Sequence, residues 1–517
     1  MSIATEGQTG HRRARRRPGA APGASVPPAA PWQWRNPFPP IELFSADRIE
    51  AIHVASLTLL EEIGLRILHA EARRLYRAAG AAVDEADARV RFDRGLVMEA
   101  VGRAPAVVRL HARNPAHDVE VGGNAVAVTT VGGPPNCSDL ERGRRPGTLA
   151  DFADFMRLAQ SFDVIHVLNQ AVEPLDVDLR FRHLETTRTQ ITLSDKVPFV
   201  FSRGAGQVRD ALEMIRIARG VTAEVFAEQP SCDTVINSNS PLQLDEVMCQ
   251  GIIDFARAGQ LMILTPFTLA GAMAPVTVAG ALVQQNAEAL AGIALAQIVR
   301  PGTPVGYGGF TSNVDMRSGA PAFGTPEYVQ ACFATGQLAR RYRLPWRSSN
   351  ANASNAPDAQ SVYESQMSLW GALMGGCNFL IHGAGWLEGG LTASFEKFVI
   401  DVEMLRMFRA LFQPVPCDDA ALALDAVREV GPGGHYFGAA HTLARYGTAF
   451  YSPVLSDWRN YETWKDAGAV DATRRAHALY KRTLAEFEPP PLDPAIKDEL
   501  DAFVARRRAE GGAAPGD

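Results

Sequence analysis

Residues 347–355 read RSSNANASN and lay out Asn350, Asn352 and Asn355 behind Arg347 with almost nothing bulky between them. Further on, FLIHGAGWLEGG (379–390) holds the best-placed histidine, His382, followed by small residues that would let a large planar ligand approach. The same surroundings also suit a core histidine satisfied by the backbone. Tyr307, Phe310, Trp346, Tyr363, Trp386 and Phe395 come from three successive units of the chain. Aromatic faces converging on one mouth can box a cation, although most aromatics in such folds simply pack. Asp and Glu are scarce at these points, which disfavours a magnesium or glycosidase site built on paired carboxylates. Lys196, Lys397, Lys465, Lys481 and Lys497 end no apolar run, so no Schiff-base lysine is expected. His435 and His441 stand six residues apart, the wrong spacing for two metal ligands on one helix face, and no metal site is read.

The elements that must position these residues are short apolar runs alternating with helical periods. The runs are VIHVLNQ (164–170), PFVFS (198–202), DTVIN (233–237), LMILTP (261–266), TPVGYGG (303–309), LPWRSS (344–349) and NFLIHGAG (378–385). Between them lie stretches such as 277–299, where Leu282, Val283, Asn286, Leu290 and Ile293 share a face. Seven runs with an unlocated eighth favour a closed TIM (β/α)8 barrel over an open sheet. GYGGF (306–310) lacks the spacing of a dinucleotide loop. Past the strand ends come Asn169, Gln170, Ser202, Arg203, Asn237, Ser238, Asn239, Thr265, Phe267 and the residues named above, a polar but mostly uncharged rim. The expected organisation is an unfolded Arg/Pro/Ala-rich tail (1–32), an N-terminal α/β cap (33–147), the barrel (148–455) and a C-terminal helical extension (456–517).

Composition limits the function classes. A chain of 517 residues, 46% hydrophobic and 21% charged, can bury a large core. Net charge −6 argues against a general nucleic-acid binder. Six scattered cysteines suggest neither a disulfide framework nor a zinc knuckle, so the cytosol is the default compartment. No apolar run is long enough to cross a bilayer. Arg12, Arg13, Arg15, Arg16 and Arg17 are followed by Pro, Gly and Ala and no apolar stretch, which reads as a solvated tail and not a targeting signal.

Several motifs together resemble the trimethylamine methyltransferase family over roughly residues 40–485: PVTVAGALVQQNAEALAGIALAQ (275–297), MRSGAPAFGTPE (316–327), APDAQSVYES (356–365), GWLEGGLTASFEKFVIDVEML (385–405) and GTAFYSPVLSDWRNYETW (447–464). The resemblance implies a TIM barrel that moves a methyl group from an amine to the cobalt of a corrinoid held by a separate cognate protein, with no tightly bound cofactor of its own. Founding members place pyrrolysine at the barrel mouth, a position that falls within 348–354 here, where no such residue stands. A quaternary amine such as glycine betaine needs no such electrophile, because it leaves as a neutral tertiary amine. On this reading His382, Asn350 and Asn352 are the catalytic candidates. Tyr307, Phe310, Trp346, Tyr363, Trp386 and Phe395 would hold the ammonium head, and Arg203, Arg347 or, least, Arg317 the carboxylate. Gly383, Gly385, Glu388 and Gly389 would meet the corrin of the partner. A homo-oligomer is possible; nucleic acid and membrane are not expected as partners. A metal-independent barrel lyase or isomerase, a barrel that only binds a quaternary amine, and methyl transfer to a free corrinoid stay open.

Overall fold

The structure, a computed structural model, describes residues 32–516. The expected unfolded tail therefore lies outside the described residues, apart from Trp32. Eight parallel segments form a ring: β1 (Ala125–Thr130), β2 (at residue 167), β3 (197–199), β4 (Asp233–Ile236), β5 (Leu261–Leu264), β6 (Val305–Gly308), β7 (Trp346–Ser349) and β8 (Phe379–Ala384). Each pairs with the next, β2 and β3 through single bridges, and β8 pairs back onto β1. Stepping the register once around arrives eight residues from the start, the shear of a (β/α)8 barrel. The helices that return the chain are α1 (Leu149–Ser161), α2 (Leu179–Leu193), α3 (Ala205–Arg219), α4 (Glu246–Ala258), α5 (Val278–Val299), α6 (Pro326–Tyr342), α7 (Ala359–Met374) and α8 (Phe395–Leu411).

The pleat sorts the side chains. Ala127, Val167, Val197, Leu261, Ile263, Phe379 and Ile381 share the inner cluster, while their neighbours Val128, Leu168, Met262, Leu264 and Leu380 join the larger core under the helices. The antiparallel pair Val107–Leu110 and Val119–Gly122 adds Val108, Leu110, Val119 and Val121 to the inner cluster and closes the barrel floor. The eighth strand that periodicity leaves unlocated is β1, inside the segment assigned to the cap. Its small apolar run follows the turn at Gly122 and Gly123, so in sequence it looks like the second arm of a local hairpin.

Helices Ala46–Glu62, Ala70–Ala78 and Arg94–Val101 pack on α5, where Tyr76 donates to the Ala291 carbonyl (2.9 Å) and Ser56 to that of Val283 (3.0 Å). Helix Ala472–Ala485 packs on α8, and Pro494–Ala509 on α3. The last barrel helix ends at Leu411, so the barrel limit of 455 set from sequence runs past it. Val415–Tyr451 belongs to a separate compact unit with short helices at Asp419–Leu422, Leu424–Val430 and Ala440–Arg445. Among the described residues no helix is long and apolar enough to cross a membrane.

Candidate active site

The groups that converge come from the C-terminal ends of β5 to β8. In β7 the pleat turns Trp346 and Ser348 toward the helices and Arg347 and Ser349 into the lumen. Arg347 is 2% exposed and forms no ion pair among the described residues. Its Nη1 donates to the Gly309 carbonyl (3.4 Å), its Nε has no partner, and its guanidinium lies 5.1 Å from the Phe310 ring centre. Burial pushes its pKa down to about 10, which leaves it charged at neutral pH.

Above this cation sits an aromatic cluster. Phe310 stacks on Phe323 (5.3 Å, 6°), lies 5.1 Å from Phe267, and meets Trp386 edge-on at 6.1 Å. Tyr328 stands edge-on to both Phe310 and Phe323. The His382 ring is 4.1 Å from Trp386 and 6.0 Å from Phe310, and its Nδ1 has no partner. His382 has φ +60° inside an irregularity of the β8–β1 register, a left-handed conformation that costs an L-residue roughly 1–2 kcal/mol. Burial, and then the Arg347 charge, hold its pKa well below the usual imidazole value, so the ring is neutral.

Burial likewise depresses His166, to about 3. For both imidazoles the folded pKa lies below the unfolded one. Their neutral forms therefore cost nothing above about pH 6.5, and stability is lost as pH falls below it, by up to about 2.7 kcal/mol per pH unit. Thermal unfolding is expected to show a midpoint well below the pH 7.5 value at pH 5.5. His382→Gln should flatten that dependence.

Behind the mouth a buried pair ties β7 to β8. Lys397 and Asp401, one turn apart on α8, are both 0% exposed and bonded to each other. Asp401 accepts from the Asn350 amide (3.1 Å) and the Gly385 backbone N–H (2.9 Å), and Lys397 donates to Ser365 of α7 (2.8 Å). Asn350 also donates to the Gly383 carbonyl (3.1 Å). Asn352 donates to Ser365 (3.3 Å) and to the Trp386 carbonyl (2.6 Å), and the Trp386 indole donates back to the Asn352 carbonyl (2.9 Å). Asn350 and Asn352, expected as catalytic amides, thus have their NH2 groups turned into the helix layer and hold the mouth in shape. Asn355 is exposed.

The expected aromatic box is only partly assembled. Phe310 and Trp386 meet; the other four do not join them. Tyr307 points outward and donates to Asn286 of α5 (2.8 Å). Trp346 starts β7 and packs against Gly336 and Gly375 of the helix layer. Phe395 stacks on Phe155 (4.2 Å), and Tyr363 is 59% exposed on α7. Replacing Tyr363 with Ala should leave substrate affinity within about twofold of wild type in a calorimetric titration, since a surface side chain away from the mouth contributes little. Arg203 is paired with Glu173 (2.6 and 3.0 Å), which Arg182 also contacts (3.3 Å), and Arg317 lies exposed in the loop after β6. Gly383 and Gly385 are buried against β1 and α8, where a Cβ on Gly383 would meet Val128 at 2.4 Å, so neither offers a surface to a partner. Glu388 is clamped by Arg144 (2.7 and 3.0 Å). Gly389 stays on the rim beside Phe323, and Gly390 next to it lies against the Trp386 ring, where a Cβ would come within 2.5 Å.

Sequence reasoning misses Phe323, Tyr328 and Asp401. The spacing of Lys397 and Asp401 in FEKFVIDVEML (395–405) is the available signal for the last, two opposite charges at i,i+4 on one helix. Among the described residues no group of three or more His, Cys, Asp or Glu side chains is placed to hold a metal ion.

Comparison with known proteins agrees with the motifs quoted above. A glycine betaine methyltransferase of Desulfitobacterium hafniense (strain Y51) is 37% identical over 477 residues, 92% of this chain and 99% of that protein. A trimethylamine methyltransferase of D. hafniense (strain DSM 10664 / DCB-2) is 31% identical, covering 91% of this chain and 95% of its own. Among solved structures, the Methanosarcina barkeri monomethylamine methyltransferase aligns with TM-score 0.43 at 10% identity, over 86% of this chain and 93% of that one. The family model described as trimethylamine methyltransferase (MTTB) matches residues 8–512, nearly the whole sequence, and with the two relatives it establishes that this chain belongs to the trimethylamine methyltransferase family.

Proposed function

We propose that the chain is a methyltransferase that takes a methyl group from a carboxylate-bearing quaternary amine, glycine betaine or a related betaine, and passes it to the Co(I) of a corrinoid carried by a partner protein. The observation that carries this reading is Arg347, a buried cation without an acidic partner among the described residues, set against the Phe310 ring. An unpaired buried charge is costly, and a ligand carboxylate would answer it. The quaternary head of the same ligand would then rest among Phe310, Trp386 and their neighbours, with cation–π attraction of about 0.5–2 kcal/mol.

The chemistry at nitrogen supports the same choice. A nucleophile attacking one methyl carbon breaks the C–N bond, and the electron pair stays on nitrogen. From a quaternary centre the leaving group is a neutral tertiary amine; from trimethylamine it would be an amide anion. Nothing in 348–354 offers an electrophile to trap the amine beforehand. The neutral His382 brings no second positive charge against the ammonium. The work of the pocket is therefore alignment and exclusion of water, which can supply about 7–11 kcal/mol in ideal cases. Aromatic attraction stabilises the charged ground state more than a transition state in which charge leaves nitrogen, so the box should orient more than grip.

Calorimetric titration tests the reading. Glycine betaine should bind, while trimethylamine and tetramethylammonium should bind at least tenfold more weakly. Equal binding of all three, or of none, would be incompatible with it.

A further inference from the structure

Nothing in the substrate-binding argument uses Lys397 and Asp401, although both are fully buried within reach of the mouth. Their partners are specific. Asp401 holds the N–H of Gly385, and Asn350, itself bonded to Asp401, holds the carbonyl of Gly383. These two backbone groups flank Ala384, just beyond His382. His382 is the residue with φ +60° in the irregular part of β8. A left-handed non-glycine residue persists only where its surroundings over-determine it. Gly385 (φ +101°) continues the departure from a regular strand, and Trp386, whose ring lies 4.1 Å from that of His382, is bonded twice to Asn352. Through Ser365 the same network reaches Asn352 as well.

We propose that the Lys397–Asp401 pair is a latch that fixes the His382–Trp386 bulge of β8, so that both are positioning residues for the cation box, acting through backbone they never share with a ligand. The proposal rests on the quaternary-amine reading for its functional half. Its mechanical half stands on the hydrogen bonds alone. Lys397 donates to Asp401 and orients it inside the protein, and Asp401 in turn accepts from both sides of the β7–β8 seam. Four elements, α7, α8 and the ends of β7 and β8, are thereby held to one geometry.

Hydrogen–deuterium exchange and substrate affinity, measured on the full chain, test the latch. The paired change Lys397→Met with Asp401→Leu removes the Gly385 tether and the support that Asp401 gives Asn350 without leaving a buried charge unpaired, and replacement of a buried ion pair by apolar groups is commonly tolerated. Exchange in 381–387 is expected to rise at least tenfold while 261–264 on β5 stays protected. The dissociation constant for glycine betaine should rise at least tenfold in the same protein. Asn350→Ala, which removes one tie and no charge, keeps the question decidable if the paired variant fails to fold; it should move both quantities in the same direction, by at least threefold. Unchanged exchange, unchanged affinity, or one moving without the other overturns the proposal. A wild-type chain that binds no quaternary amine overturns the functional reading and the positioning role with it, whereas a binding wild type with unresponsive variants overturns the positioning role alone.

Discussion

Arg347→Met is expected to raise the KM for glycine betaine by at least 100-fold and, in the same protein, to improve binding of tetramethylammonium. The two shifts have opposite signs for one reason. Wild-type Arg347 is a charged, buried guanidinium with no acidic partner among the described residues, 5.1 Å from the ring centre of Phe310. A betaine carboxylate gains a charge-assisted contact there, and removing one partner of a desolvated charge pair costs about 2–5 kcal/mol, a range that takes in the factor of 100. A bare quaternary ammonium brings only repulsion toward that same cation, in a place water cannot screen. Methionine has a similar reach and no charge, so it preserves the packing and deletes only the electrostatics. Steady-state kinetics with the betaine and calorimetry with tetramethylammonium read the two halves separately. Should both ligands weaken together, Arg347 would be a packing residue and the carboxylate anchor would have to lie elsewhere.

Asp401→Ala alone should cost about 3–5 kcal/mol of stability, the second large effect. The substitution leaves the Lys397 ammonium buried with Ser365 as its remaining side-chain partner, and breaking a buried pair by removing one member is far worse than removing both. It also frees the Asn350 amide and the Gly385 N–H from their shared acceptor. The paired change Lys397→Met with Asp401→Leu should recover most of that loss. Urea unfolding of the three proteins decides it, because a shift in midpoint at constant slope reports stability directly. A single variant as stable as wild type would mean that the pair carries little of the local structure.

How far the sequence can be read depends on which face of a strand a residue takes. The alternation of apolar runs and helical periods locates β4 to β8 closely, and the barrel follows. Phe310, Arg347, His382 and Trp386 are legible because each lies in or just past a run, toward the end where the βα loops converge. Tyr307 and Trp346 belong to the same runs but sit one pleat position away from Gly308 and Arg347, and a shift of one residue exchanges lumen for helix layer. Sequence alone does not fix that phase in a strand buried on both faces. Phe323 reaches the box from the long loop after β6, and Asp401 reaches the mouth from a helix; both depend on tertiary placement that no local period encodes. β1 escapes notice because the turn before it makes a central strand look like one arm of a hairpin.

The most direct measurement is a single-turnover methyl transfer watched by the absorbance of a corrinoid partner reduced to Co(I). With glycine betaine in excess, the Co(I) band should give way to methyl-Co(III) and one equivalent of dimethylglycine should appear, while trimethylamine leaves the spectrum unchanged. Methylation of the cobalt by trimethylamine with no reaction of the betaine would contradict the account at its root.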